Sequence, residues 1–580
     1  MTRLRVSRGS LWCSLCVVAL MTRAAPSAGQ SSGVPLCTVT GKQSLPAGVA
    51  FPQRYNIGAL VVVWLDERSA TYDLRATVLA PGEIGDVLPA DGVSVADATR
   101  LGQFPQAAAV GATSADAHAT PTVIAYQNWP PPFEGTEVRV RRMFDGLNDW
   151  NVRVTTAAAS QSDPGVVGDG STGAWVSWLQ SVDGTGGSRL RVQHLLADGT
   201  RGLGDEGIQV VSGDEHQVVP RIVSDGAGGV YLCWAEYLGG VYATRLTSSG
   251  AVAPGWPSEG MLVASSSLDL ATPTPIADGL GGLYLLWDDE KVVGELGSHA
   301  RVVRLLADGT RAPGWPAQGI LVADRPAFMN TLDAATHDGV GGLLVTLNSD
   351  ERGQSTVLSR ISPDGSRPEG WTATGIDVCP VSSTQAWSEV VSQEGGALLV
   401  WSDARAGAAE ADLYAARFLA DGSRAPGWPA SGLLLCDAPA AQYEAVLGPD
   451  RHGGAIFAWQ DSRNEITSGV DIYGAWVNAV GQLSAPEERT GPNRISLAIA
   501  GRHPATGPVR FQLELPVETP VVADVFDASG RRLARIKQDK LPAGRHQLRW
   551  DAPAAGPPGV HFLKVSTPSE ARSLRFVTLR

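Results

Sequence analysis

At 580 residues the chain is too long for one ordinary core, and two or more domains are expected. Its 67 glycines and 38 prolines, with 43% hydrophobic residues, point to many short strands joined by tight turns and away from long helices. A formal net charge of -13 argues against a phosphate-tracking surface and so against nucleic acid as a partner.

Residues 1–29 read as a secretory signal peptide. Arg3, Arg5 and Arg8 form a positive start, Leu11 to Met21 is a short apolar run, and the small residues Ala24, Ala25, Ser27 and Ala28 follow. The apolar run is too short to span a bilayer, and no later segment looks transmembrane. A secreted or outer-surface location is expected. Cys13 and Cys16 fall in the part removed.

Residues 33–486 repeat. A G-x-x-V/L-C/A motif stands at Gly33, Gly92, Gly207, Gly260, Gly319, Gly375 and Gly432, with offsets of 59, 115, 53, 59, 56 and 57. The doubled offset places a missing copy near Asn151, where NVRVTT stands. A Gly-Gly run ending in Trp keeps the same register, at Trp234, Trp287, Trp401 and Trp459, with Leu347 in its place once. Looser copies end at Trp64 and Trp178. Strands ending in Asp-Gly close the units, at Asp198, Asp308, Asp364 and Asp421. Runs such as GGVYLCW are apolar on both faces, as in strands covered on both sides. Four strands per period of some 57 residues is the signature of a β-propeller blade. The fold class is therefore all-β: a propeller of eight four-stranded blades, or seven if residues 92–150 are an insertion.

The same register bears on the cysteines. Cys37, Cys379 and Cys436 share one repeat position, so they are a blade apart, too far for direct bonding, and read with Cys233 as small buried hydrophobes. Four tryptophans, Trp256, Trp315, Trp371 and Trp428, stand in related APGWP-like loops. They could line one face as an arc for stacking on a glycan or protein ligand. Their repetition favours the other reading, that each packs against the next blade. Trp129 lies in WPPPFEGTE (Trp129–Glu137), the main break in the repeat, and is a second contact candidate. In the W-x-D-x-R copies at Trp64, Trp401 and Trp459, the Asp is expected to cap the turn and the Arg to pair with it.

No catalytic constellation is found. H-E-x-x-H, G-x-S-x-G and paired C-x-x-C are missing from the mature chain, Asp-box spacing is missing from the Asp-Gly turns, and the nine histidines are scattered. No metal site and no cofactor are expected.

After Pro486 the composition shifts, and residues 491–580 read as a small β-sandwich of six or seven strands. Asp527, Gly530, Arg531, Gly544, His546, Trp550, Asp551, Gly559, Val560 and Phe562 stand in an ordered pattern across it. That pattern resembles the C-terminal sorting domain of type IX secretion cargo, and equally the Ig-like module of flagellar hook-capping proteins. His503–Ala505 departs from the Asn-Pro-aromatic start of the family. The resemblance implies an Ig-like fold, secretion machinery as a partner, and passage across a Gram-negative outer membrane. The expected function is that of a secreted or cell-surface propeller used for binding or as a scaffold, without catalysis. The alternative is an extracellular carbohydrate-active hydrolase or lyase with its site at the mouth of the propeller channel.

Overall fold

The computed structural model describes residues between 34 and 578. Outside the description are 1–33, 38–42, 51–59, 68–72, 81–82, 85–91, 96–102, 110–121, 131–134, 144–149, 183–186, 213–216, 237–239, 266–271, 291–297, 327–328, 352, 408–409, 451, 466–468, 485–495, 501–507, 516–518, 528–530, 543, 552–558, 568–570 and 579–580. The signal-peptide reading, His503–Ala505, Gly530 and Arg68 all lie there.

The described residues hold strands and no helix. Those before 485 form seven sheets, antiparallel but for one pairing. Six are single units of four or five strands, and the eight-stranded seventh joins two such units through a short parallel pairing of Ser298–His299 with Met329–Asn330. In chain order the units occupy 43–94, 103–153, 161–209, 217–264, 274–321, 329–377, 385–436 and 442–484. The second has four strands of its own, ending in Trp150–Arg153, the place expected for the missing repeat copy. The first strand of each unit touches the first strands of its neighbours in the chain, and that of the last unit touches that of the first. The molecule is an all-β β-propeller.

Ring closure shifts the phase of the repeat. Val34–Cys37, counted by sequence as the start of the first unit, pairs with the third strand of the last unit, Cys37 standing opposite Ile472. Cys436 stands opposite Leu413 in the same way one unit earlier. The seam between last and first units carries the bond found at other seams: Gln43 N donates to Val470 O at 2.7 Å, as Gln442 N donates to Ala411 O at 2.7 Å and Gln161 N to Thr136 O at 2.9 Å.

The two sequence motifs meet in one contact. The Trp near the end of the second strand lies under the Gly that precedes the fourth. A Cβ on Gly260 would sit 2.3 Å from Trp234 Cη2, and one on Gly432 2.6 Å from Trp401 Cη2. The pairs Gly92–Trp64, Gly207–Trp178 and Gly319–Trp287 are alike. Where Leu347 replaces the Trp, Gly375 faces Val357 instead. All these glycines have positive φ, so both backbone and space demand Gly.

Residues 496–578 form a three-stranded sheet (Ser496–Ala500, Val509–Leu515, Gly544–Trp550) and a four-stranded one (Arg532–Leu541, Thr519–Asp527, Gly559–Ser566, Ala571–Thr578). Both contribute to one core around Phe511, Trp550 and Phe576, whose rings meet edge-on at 5.0 and 5.3 Å.

A methyl group on Gly226 (φ +74°) would meet nothing within 4 Å, whereas one on Gly260 (φ +76°) would meet the indole. Gly226→Ala is expected to cost about 1 kcal/mol for backbone alone, and Gly260→Ala about 1–3 kcal/mol more. Parallel denaturant melts check this, and equal midpoints would remove the steric role of the Gly–Trp contact.

Candidate functional site

The polar residues of the repeat are engaged at the seams between units. In the D-G-x-G-G turns, Asp225 Oδ1 accepts from Ala227 N and Gly229 N, both at 2.8 Å. Its Oδ2 holds Arg245 at 2.8–3.0 Å, and Arg245 Nη1 reaches across to Ala307 O of the next unit at 3.1 Å. Trp256 Nε1 donates to that same oxygen at 2.9 Å. The arrangement recurs with Arg304 and Trp315 on Pro363 O, Arg360 and Trp371 on Ala420 O, and Arg417 and Trp428 on Ala479 O. It recurs again with Arg142 and Trp150 on Ala197 O. Sequence reading missed Trp150, because no Pro-Gly precedes it. The four expected arc residues are only 4–6% exposed, so Trp256, Trp315, Trp371 and Trp428 present no open aromatic face. Trp129 is half-buried at the end of Thr122–Asn128.

The seam between the third and fourth units differs. His194 replaces the Arg and binds Asp169 at 3.0 Å while stacking on Trp175 at 4.5 Å. Burial pushes Asp169 up, but the His194 and Ser171 hydrogen bonds outweigh it and bring the carboxyl down to about 2.

The W-x-D-x-R copies are structural in the two described in full. Asp403 accepts from Trp401 Nε1 at 3.1 Å and Arg405 N at 3.0 Å, and pairs with the Arg405 guanidinium at 2.5 Å. Trp459, Asp461 and Arg463 repeat it. The guanidinium stacks on Tyr414 or Tyr473 and meets Cys379 Sγ at 3.3 Å or Cys436 Sγ at 3.2 Å. The four described cysteines are buried thiols outside any disulfide. Reading them all as plain hydrophobes fits Cys233; the other three also have sulfur against polar groups, Cys37 lying 3.7 Å from Asp66 Oδ2.

What the seams leave over lies at the start of the first strands. Among the described residues, a β-bulge interrupts this strand in seven of the units. In four of them it gives a non-glycine residue positive φ: Asp163, Val219, Trp387 and Glu444, all at 50–51°. Such backbone costs roughly 1–3 kcal/mol per residue and gathers at functional surfaces. The residue after the bulge position is Pro in the early units (Pro46, Pro105, Pro164, Pro220) and becomes Asp333, Ser388 and Ala445 in the last three. There the symmetry breaks. Asp333 Oδ2 accepts from Ser388 Oγ at 2.7 Å and Ser388 N at 3.1 Å, tying the sixth unit to the seventh. Trp387 is 53% exposed and lies 6.0 Å from Tyr443 of the eighth unit, the rings tilted by 47°. Glu444 accepts from Gln460 Nε2.

Glu389 completes the patch. Its side chain is exposed at the surface. Desolvation by the surrounding protein, with the charge of Asp333 added, pushes its carboxyl up to about 7. The patch thus offers an aromatic pair beside carboxyl groups, one of which can donate or accept near neutrality. No sequence motif marks Trp387 or Glu389; the only signal was the loss of Pro at a fixed offset.

No family model and no curated protein matches the chain. Among solved structures it is similar to puromycin hydrolase (14% identity, 71% of this chain and 59% of that one, TM-score 0.38). It is also similar to the β-propeller domain of the trilobed protease from Pyrococcus furiosus (9%, 68% and 97%, 0.36) and to the arabinanase Arb43A of Bacillus subtilis (13%, 44% and 93%, 0.23). At these identities the likeness is one of fold alone.

Because the folded Glu389 carboxyl titrates above its ordinary value, the folded state binds the extra proton between the two. Its contribution is present at low pH and lost as pH rises towards 7. The melting temperature of wild type is therefore expected to fall between pH 5 and 8 relative to Glu389→Gln. Parallel pH profiles would show the group to be unperturbed.

Proposed function

We propose that the chain is an exported, eight-bladed β-propeller that acts as a binding or scaffold module, its ligand resting on the Trp387 end of the first strands. The eight-blade reading rests on the last unit taking its closing strand from residues 34–37 and on the repeated seam bond from Gln43 to Val470. The observation that carries binding is that breaks in symmetry coincide on one copy of the repeated bulge: the Pro-to-Asp333 and Pro-to-Ser388 changes and the exposed aromatic ring of Trp387. A ligand with a flat apolar face and hydrogen-bonding groups, as glycans have, suits an indole beside carboxyls. The C-terminal sandwich is proposed to be an Ig-like sorting address. In support, Asp527 caps its turn by accepting from Arg531 N at 3.0 Å, and Trp550 is buried in the core.

Glycan-array binding is expected to weaken at least tenfold in Trp387→Ala and to be unchanged in the exposed control Leu280→Ser. Equal binding by both variants rejects the site. Turnover of a bound glycan that disappears in Glu389→Gln would instead establish the hydrolase alternative. Removing residues 491–580 is expected to leave the propeller inside the cell envelope, assayed by immunoblot of medium and cell fractions. Undiminished release rejects the sorting role.

A further inference from the structure

The two parts of the chain carry opposite charge. Residues 496–580 hold 13 Lys and Arg against 7 Asp and Glu, net +6, leaving -19 for the rest. Four of these cations, Arg532, Arg535, Lys564 and Arg575, sit on the outer face of the four-stranded sheet. Strand alternation turns Val521, Ala523, Val525, Leu563, Val565 and Phe576 into the core. It turns Asp524, Phe526, Val560, Phe562, Lys564 and Arg575 the other way.

Register aligns one row across all four strands: Arg532 beside Phe526, Phe526 beside Phe562, and Phe562 beside Arg575. Two aromatic residues in the middle are thus flanked by a guanidinium at each edge, about 14 Å apart at a strand spacing of about 4.8 Å. The next row runs Arg535, Asp524, Lys564 and Ser573, with Asp524 paired to Arg535 at 2.8 Å and to Arg532 at 3.9 Å. On the other side of the aromatic row, Val560 stands opposite Val577. Val560 and Phe562 are 38% and 36% exposed. Four cations against one carboxylate leave the face positive around an apolar centre.

We propose that this face docks on an anionic lipid surface. A soluble polyanion would use the cations and leave the Phe and Val row in water. A bilayer interface takes both, phosphate headgroups meeting Arg532, Arg575 and Lys564 while Phe562 and Val560 enter the headgroup–acyl boundary. This assignment does not depend on the ligand site at Trp387.

Co-sedimentation of the full chain with vesicles of phosphatidylcholine containing 30% phosphatidylglycerol, against phosphatidylcholine alone, tests it. Binding to the anionic vesicles only, lost in high salt, is expected. Arg532→Ala with Arg575→Ala should weaken partitioning about 30-fold, two surface cations being removed. Phe562→Ser should weaken it at every salt concentration. Both variants change exposed residues, and an unaltered thermal melt confirms that they fold. No binding to either vesicle, equal binding to both, or anionic binding untouched by all three substitutions overturns the proposal. Binding to heparin but not to anionic vesicles would assign the face to a soluble polyanion instead.

Discussion

A propeller must satisfy backbone polar groups buried between its units, and here, at five of the described seams, one carbonyl oxygen bears much of that demand. The turn carboxylate is fixed by two backbone N–H groups, so the guanidinium it holds has little freedom. That guanidinium and an indole N–H from the same unit then converge on one carbonyl of the next. Both lone pairs of the oxygen are used. Leaving either donor unmatched in such a place costs about 1–3 kcal/mol, more for the charged one. The Asp, Arg and Trp are therefore one device at three of the seams, and Glu394 stands in for the Asp at a fourth.

This accounting separates structure from function by subtraction. A repeated polar residue that completes a seam has no capacity left for a ligand, which is the case for the APGWP tryptophans and for the W-x-D-x-R groups. The first strands are different. Their bulges break the ladder at the same place in unit after unit, and the side chains presented there vary from Asp163 through Val219 to Trp387 and Glu444. Constant backbone geometry with variable side chains is how a scaffold displays a surface. The patch at the sixth to eighth units gathers the aromatic pair and the carboxyl with the raised pKa.

The period of the repeat, the strand order within a unit and the Gly–Trp register were legible because each rests on local spacing. The Gly of one motif and the Trp of the other share a period because they touch. The burial of Trp256 and its relatives was foreshadowed by repetition alone. Trp387 and Glu389 were not legible. Their placement depends on a bulge, where two residues oppose one, and the bulge residue itself leaves no compositional trace when Asp, Val, Trp and Glu all occupy it. The phase of the repeat was also hidden. Residues 34–37 look like every other G-x-x-V strand, and only pairing with 471–477 assigns them to the last unit.

That pairing has an energetic consequence. Every other seam joins units adjacent in the chain, whereas the closing seam joins residues some four hundred positions apart, at Gln43 and Val470. On the logarithmic dependence of loop-closure entropy, joining so distant a pair costs about 2–3 kcal/mol more than closing a seam of a few tens of residues. Val34–Cys37 offsets this by adding a strand of the chain's other end to the last sheet. The ring is thus held shut at its least favourable junction by the interlacing of its two ends within one sheet. Loss of that strand would expose the edge of Asp471–Val477 and open the seam at the first unit, far from Trp387 in sequence but next to Tyr443's own unit.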